Sequence, residues 1–366
     1  MVTLVVVDHH RSDFLDKSRV NIPKFNNPDE YIKELSKYFE KDYDLILSDA
    51  DPDGYVSSII FCLEKGFRDP NYKCFRIPLD KEIIEIFEKN NIKSIIAFDW
   101  FPLYGCDLSL FEDVVLLNPV FSNLLDNTCT AELVFRACKK KTKFMRDLAA
   151  ITIVSDYAVS GGLSTLSETI IDYPELFSSL LPLVEDNKLN RYNVFQSRFK
   201  ELSEIFWSPY IINGEKGAQR LVQLLLSNPA FTYTDIFNFE HKPTIKFLRR
   251  AWHEFKHVLR EESISFKTRR KEINNVLIYE PNISSPGFVQ KFSSMLCDTN
   301  IGKIIMLKVR VNSKTKYSLR QRGLLIDLGK ILQDMGVGGG HPEAAGAVVE
   351  DTESFEKDFI ARVSLT

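Results

Sequence analysis

Asp44-Leu-Ile-Leu-Ser48, followed at once by Asp49-Ala-Asp-Pro-Asp-Gly54, is the stretch from which the rest of the chain can be read. A short apolar run bounded by turn residues has the form of a buried strand, and Tyr55 to Glu64 has the form of the helix after it. Aspartates at alternate positions of an extended loop point to one side, where they repel one another unless divalent cations sit among them. Pro52 stiffens the turn, and Gly54 lets the backbone bend into the helix. A calcium loop of the EF-hand kind needs a closing glutamate at its twelfth position, where this chain has Ile60.

The same alternation continues outward. Cys74-Phe-Arg-Ile-Pro78, Ser94-Ile-Ile-Ala-Phe98, Val114-Val-Leu-Leu117 and Ile151-Thr-Ile-Val154 read as further strands, with helices over Lys81 to Asn90 and Ala131 to Lys140. Strands alternating with helices predict an α/β fold built on a parallel sheet, whose working residues gather just past the carboxyl ends of its strands. On this reading Asp49 to Asp53, Asp99 and Asp156 each follow a strand. A lone aspartate there is more often a helix cap than a ligand. Three such positions in one sheet point to a shared metal site.

From about Ser164 the pattern changes to long amphipathic runs such as Val194 to Phe206, and strands return at Asn275-Val-Leu-Ile-Tyr279 and Lys303 to Val309. The predicted organisation is therefore a first domain over 1–163, a helical insert over 164–272, and a smaller α/β domain over 273–366. In the last of these, Gly336-Val-Gly-Gly-Gly-His-Pro-Glu-Ala-Ala-Gly346 reads as a glycine-rich loop. Gly338, Gly339 and Gly340 would let backbone N–H groups approach an anion, and His341 at the loop tip would hydrogen-bond a phosphate. Arg320 and Arg322 on the neighbouring strand are suited to bidentate phosphate contacts.

With 366 residues, 44% of them hydrophobic, the chain can bury two ordinary cores. No apolar run is long enough to span a membrane, and the N-terminal Met-Val-Thr-Leu-Val-Val-Val-Asp-His-His10 is too short and acidic for a signal peptide, so a cytoplasmic protein is expected. Six scattered cysteines fit buried thiols in a reducing compartment. The net charge of −3 argues against a protein that coats nucleic acid. Its distribution says more, because Lys and Arg outnumber Asp and Glu by about twelve between His241 and Lys330. An acidic half and a basic half suit an enzyme that holds metal ions at one wall and a phosphate backbone at the other.

The combination resembles the DHH phosphoesterase superfamily, in particular the RecJ-like exonucleases of archaeal type, with a C-terminal DHH-associated substrate-binding domain. Asp49-Ala-Asp-Pro-Asp-Gly54 is similar to the family's first motif, Asp99 in Ala97-Phe-Asp99 to its second, Asp156 in Val154-Ser-Asp-Tyr157 to its fourth, and Gly338-Gly-Gly-His341 to the signature of the associated domain. The resemblance implies a two-metal phosphodiesterase that degrades single-stranded nucleic acid, with manganese or magnesium held by Asp49, Asp51, Asp53, Asp99 and Asp156. It further implies substrate contacts from Arg320, Gly338, Gly339, Gly340 and His341. As partners it suggests a single strand of DNA or RNA and a helicase or replication and repair complex, without a membrane.

The chain departs from the family at the third motif, Asp-His-His, where the strand ends in Leu117-Asn-Pro-Val120. A run of the same form, Leu4-Val-Val-Val-Asp-His-His10, stands at the N-terminus instead. The expectation is that His9 supplies the missing metal ligand and His10 faces the scissile phosphate. Two other functions stay open: a RecJ-like scaffold that has lost catalysis, and a phosphodiesterase for short oligonucleotides or cyclic dinucleotides. His253-Glu-Phe-Lys-His257 satisfies a zinc-protease pattern, but five residues with three fixed match often by chance, and the surroundings read as a charged amphipathic helix.

Overall fold

The computed structural model describes residues 20–21, 27–67, 72–74, 91–99, 112–119 and 128–364, apart from 239, 284 and 312. The chain divides into two compact units, one within Arg11–Trp252 and the other within His253–Thr366. The long amphipathic helices up to Trp252 therefore belong with the first sheet.

In the first unit, β1 (Val20–Asn21), β2 (Leu45–Ser48), β3 (Tyr72–Cys74), β4 (Ser94–Phe98) and β5 (Asp113–Leu117) form a sheet in the order β1-β5-β4-β2-β3, with every pair parallel. Leu45 to Ser48 are all buried, as are Ile95 to Phe98 and Val114 to Leu117, which is why these strands read as continuous apolar runs and not as alternating ones. The helices include α1 (Pro28–Tyr38), α2 (Pro52–Lys65), α3 (Thr130–Ala137), α4 (Lys143–Ser155), α5 (Leu163–Asp172), the single turn α6 (Arg191–Phe195), and α7 (Arg198–Ser227), which is interrupted at Gly214; further short turns lie at Pro174–Phe177, Leu181–Glu185 and Tyr233–Phe237. Helix α2 packs on β2 and β4 and is covered by α3, α4 and α7. The Tyr55 hydroxyl donates to the Phe206 carbonyl of α7 at 2.7 Å.

Ile151-Thr-Ile-Val154 is the correction to the sequence reading: it lies inside α4, not in a strand. Helix α4 is capped at its start by the Thr142 side chain, and every residue from Asp147 to Ser155 is buried. A helix buried all round shows no amphipathic period, so its β-branched run looks like a buried strand. Asp156 accordingly ends a helix.

The second unit begins within α8 (Pro243–Arg269) and contains β6 (Lys271–Ile273), β7 (Val276–Tyr279), α9 (Pro286–Thr299), β8 (Ile304–Val311), β9 (Lys314–Gln321), α10 (Leu328–Asp334), β10 (Gly338–His341), β11 (Ala344–Val349) and α11 (Thr352–Ser364). Its sheet runs β10-β11-β9-β8-β7-β6, antiparallel except for the β7–β8 pair. Burial alternates along β9 and β11, and Tyr317, Leu319, Ala345 and Ala347 face a core closed by Leu328, Leu332, Phe355 and Phe359. Cys62, Cys129, Cys138 and Cys297 are buried and free. Among the described residues no helix is long and apolar enough to cross a membrane.

Candidate metal centre

The acidic positions of the first unit converge. Asp49, Asp51 and Asp99 form one group whose carboxylate oxygens lie within 4.8 Å of one another, and Asp53, Asp99 and Asp156 form a second. Asp99 is common to both. Parallel pairing produces this: Ser48 and Phe98 are partners in the β2–β4 register, so the residues after them, Asp49 and Asp99, emerge side by side. The Asp49 amide donates to the Phe98 carbonyl at 3.1 Å and the Asp99 amide to the Leu117 carbonyl at 2.8 Å. Asp99 then turns into the left-handed region (φ 52°), which aspartate tolerates better than most residues.

The alternate aspartates of the first motif do different jobs. Asp51 caps α2, accepting the Gly54 amide at 3.1 Å. Asp53, in the first turn of α2 and 1% exposed, reaches across to α3 and accepts the amides of Thr130 at 2.7 Å and Ala131 at 2.8 Å. Helix α3 has no cap from its own N-cap residue Cys129, so Asp53 caps it from outside. The Thr130 hydroxyl donates to Asp99 at 3.0 Å. Thr130 thus orients two of the five acids. The sequence reading gave it no role, and a threonine opening a helix carries no signal of what its amide binds. Gly54 is required for a reason beyond the bend: a Cβ there would lie 2.6–2.9 Å from the Asp49 backbone.

The electrostatics show why a cation suits this place. Burial, and then repulsion from Asp51, push the Asp53 carboxyl up to about 7, against the opposing pull of its amide donors. Asp99 is driven well above the usual carboxylate range by burial and by Asp53, Asp51, Asp156 and Asp49. Asp156 is exposed as a residue, but its carboxyl sits among the other acids, and desolvation there and the charges of Asp53, Asp51 and Asp49 move it the same way. It is also the C-cap of α4, where the helix dipole disfavours an anion. Five carboxylates held together against these costs, offering only oxygen, fit hard divalent ions such as manganese or magnesium.

No histidine joins either group among the described residues. Past β5 stands buried Asn118 and not the third motif. Asp8, His9 and His10 lie outside the described residues.

In the second unit the expected glycine-rich loop is a strand. Residues 338–341 form β10, paired with β11. A Cβ at Gly338 would lie 2.0 Å from the Gly346 carbonyl oxygen, and one at Gly340 would lie 2.4 Å from that of Ala344. A Cβ at Gly329 of α10 would come within 2.0 Å of the Gly340 carbonyl oxygen. Close packing of hairpin and helix therefore accounts for Gly338 and Gly340. The register nonetheless sets His341, Ala344 and Arg320 in one row across the sheet. Arg320 donates to the Leu319 carbonyl, and Arg322 pairs with Asp298 at 2.6 Å. His253, Glu254 and His257 are exposed on α8, and His257 faces Glu261 one turn on.

Residues 274–364 match the DHHA1 domain. Among solved structures, RecJ from Thermus thermophilus in complex with Mn2+ aligns with a TM-score of 0.62 at 15% identity, over 94% of this chain and 56% of that one. The chain has the RecJ-like DHH phosphoesterase fold. A manganese-bound exonuclease RecJ aligns with a TM-score of 0.56 at 14% identity, over 93% of this chain and 95% of that one. The DHH domain of a protein assigned to a family of ribosomal proteins aligns with a TM-score of 0.58 at 14% identity, over 93% and 91%. The chain spans little more than half the length of the Thermus protein. No curated protein matches it by sequence.

Proposed function

We propose that the chain is a metal-dependent phosphodiesterase that shortens single-stranded nucleic acid from an end, using two manganese ions held among Asp49, Asp51, Asp53, Asp99 and Asp156. The observation that carries this reading is the pair of carboxylate triads with Asp99 in common. The five carboxylates would hold the ions, which would supply an activated water at neutral pH and charge neutralisation at the scissile phosphate. Asp99, common to both triads, would contribute to either, and Thr130 holds one of its oxygens by a hydrogen bond. Asp53 keeps the first turn of α3 against the site. In this reading His9 adds a nitrogen ligand and His10 faces the phosphate. In the same reading Arg320 and His341 of the second unit contact phosphate, which the excess of Lys and Arg over Asp and Glu between His241 and Lys330 suits.

The test is shortening of end-labelled DNA and RNA single strands by chelator-treated protein with manganese, magnesium or no metal added. Stepwise loss from one end, dependent on metal, is expected. A second reading, a subunit that binds nucleic acid without cutting it, is favoured by Asn118 standing where the third motif belongs. Retained binding with no cleavage under any metal would establish that reading and defeat the first.

A further inference from the structure

Helix α4 ends in a Schellman arrangement: the Ala158 amide donates to the Ile153 carbonyl at 2.9 Å and the Tyr157 amide to the Val154 carbonyl at 3.4 Å. The residue between cap and exit must then be left-handed, and glycine or asparagine usually fills it. Here it is Tyr157, at φ 60°. A side chain in this conformation is disfavoured, and such positions cluster where a particular side chain is needed. This tyrosine directly follows Asp156 of the carboxylate cluster, and it is 44% exposed.

Its ring is part of an assembly. Phe195 stacks on it with centroids 4.9 Å apart and planes 13° from parallel. The Arg191 guanidinium lies 4.6 Å from the Tyr157 centroid and 5.7 Å from that of Phe195. Both partners come from the single turn α6, in which Tyr192, directly after Arg191, is 73% exposed. Planar aromatic and guanidinium groups are the surfaces on which unpaired bases stack, whatever their sequence.

We infer that Tyr157, backed by Phe195 and flanked by Arg191, is a stacking platform for the terminal nucleobase of a single strand whose phosphate lies at the carboxylates. The inference rests on the proposed function, and it names what holds the strand end beside the cluster: a base of any identity, provided it is unstacked. Tyr157 is a positioning residue.

Tyr157→Gly separates this role from packing, because glycine relaxes the left-handed position while removing the ring. The full-length chain and this variant, with manganese, are tested for binding to single strands carrying phosphorothioate linkages at both ends. The strands end either in a normal nucleotide or in an abasic one. Wild type is expected to prefer the base-bearing end on the order of tenfold, the variant to lose that preference while melting no lower, and Tyr157→Trp to restore it. Equal binding of the two strands by wild type, a preference kept by Tyr157→Gly, or a variant that unfolds more readily would each overturn the platform. Cleavage of unprotected strands, followed in parallel, reports on the proposed function separately. A base preference without cleavage leaves the platform standing and removes the phosphodiesterase reading.

Discussion

Removing the charge of Asp53 while keeping its shape should change how stability depends on pH. The Asp53 carboxyl is raised to about 7 in the folded protein, from 3.8. A raised carboxylate binds its proton more tightly when folded, so its contribution is fullest at low pH and is lost as pH climbs through the folded value. For one group moved this far, the metal-free protein should lose about 3 kcal/mol of unfolding free energy between pH 5 and 8. Asp53→Asn cannot ionise, so this component vanishes. Its amide keeps one acceptor for the Thr130 and Ala131 N–H groups and turns a donor toward the other, at a cost of roughly 1–3 kcal/mol that does not vary with pH. The variant should therefore be weaker than wild type at pH 5 and equal or stronger at pH 8. Urea unfolding in chelator at pH 5, 6, 7 and 8 measures both curves, and added manganese should restore wild type at pH 8 far more than Asp53→Asn. Parallel curves for the two proteins, or a wild-type curve flat over this range, would refute the view that Asp53 is buried at a cost that a cation offsets.

Asp51→Ala and Asp99→Ala should abolish metal-dependent hydrolysis while circular dichroism shows an intact fold, since both acids are only partly buried; near wild-type turnover in either would sink the site. Gly54→Ala should destabilise by about 1–3 kcal/mol through the clash with the Asp49 backbone, read as a lower thermal midpoint. Arg320→Ala should weaken single-strand binding and reduce the salt slope by about one phosphate contact, measured by anisotropy from low to high salt. His9→Ala should lose activity as fully as Asp99→Ala, whereas Glu254→Gln on α8 should leave it unchanged in the end-labelled assay.

What could be read in the sequence, and what could not, follows from how each residue is held. Leu45 to Ser48 and Ser94 to Phe98 are legible because a strand buried on both faces needs a continuous apolar run, and the aspartates after them stand at the sheet's carboxyl edge. Asp156 reaches the same cluster by another route, from the end of a helix that the β-branched Ile151 to Val154 disguised. The glycines at 338 and 340 were visible as a motif, but their packing reason was not, because it lies in the approach of α10 through Gly329. Thr130 and Tyr157 were silent for a common reason. Their roles depend on a backbone amide and on a left-handed turn, and neither leaves a pattern in side-chain chemistry.

The bonds from Thr130 and Ala131 to Asp53 also give the protein an internal gauge. Both amides are buried donors held by a side chain from another helix, so they can trade hydrogen for deuterium only when the first turn of α3 lifts away. Exchange at these two positions therefore follows the opening of the carboxylate cluster itself, apart from unfolding of the chain and from any turnover. A cation that draws the acids together should slow it, and a chelator should quicken it. Two peptide N–H signals would then report metal occupancy even in a variant that cuts nothing.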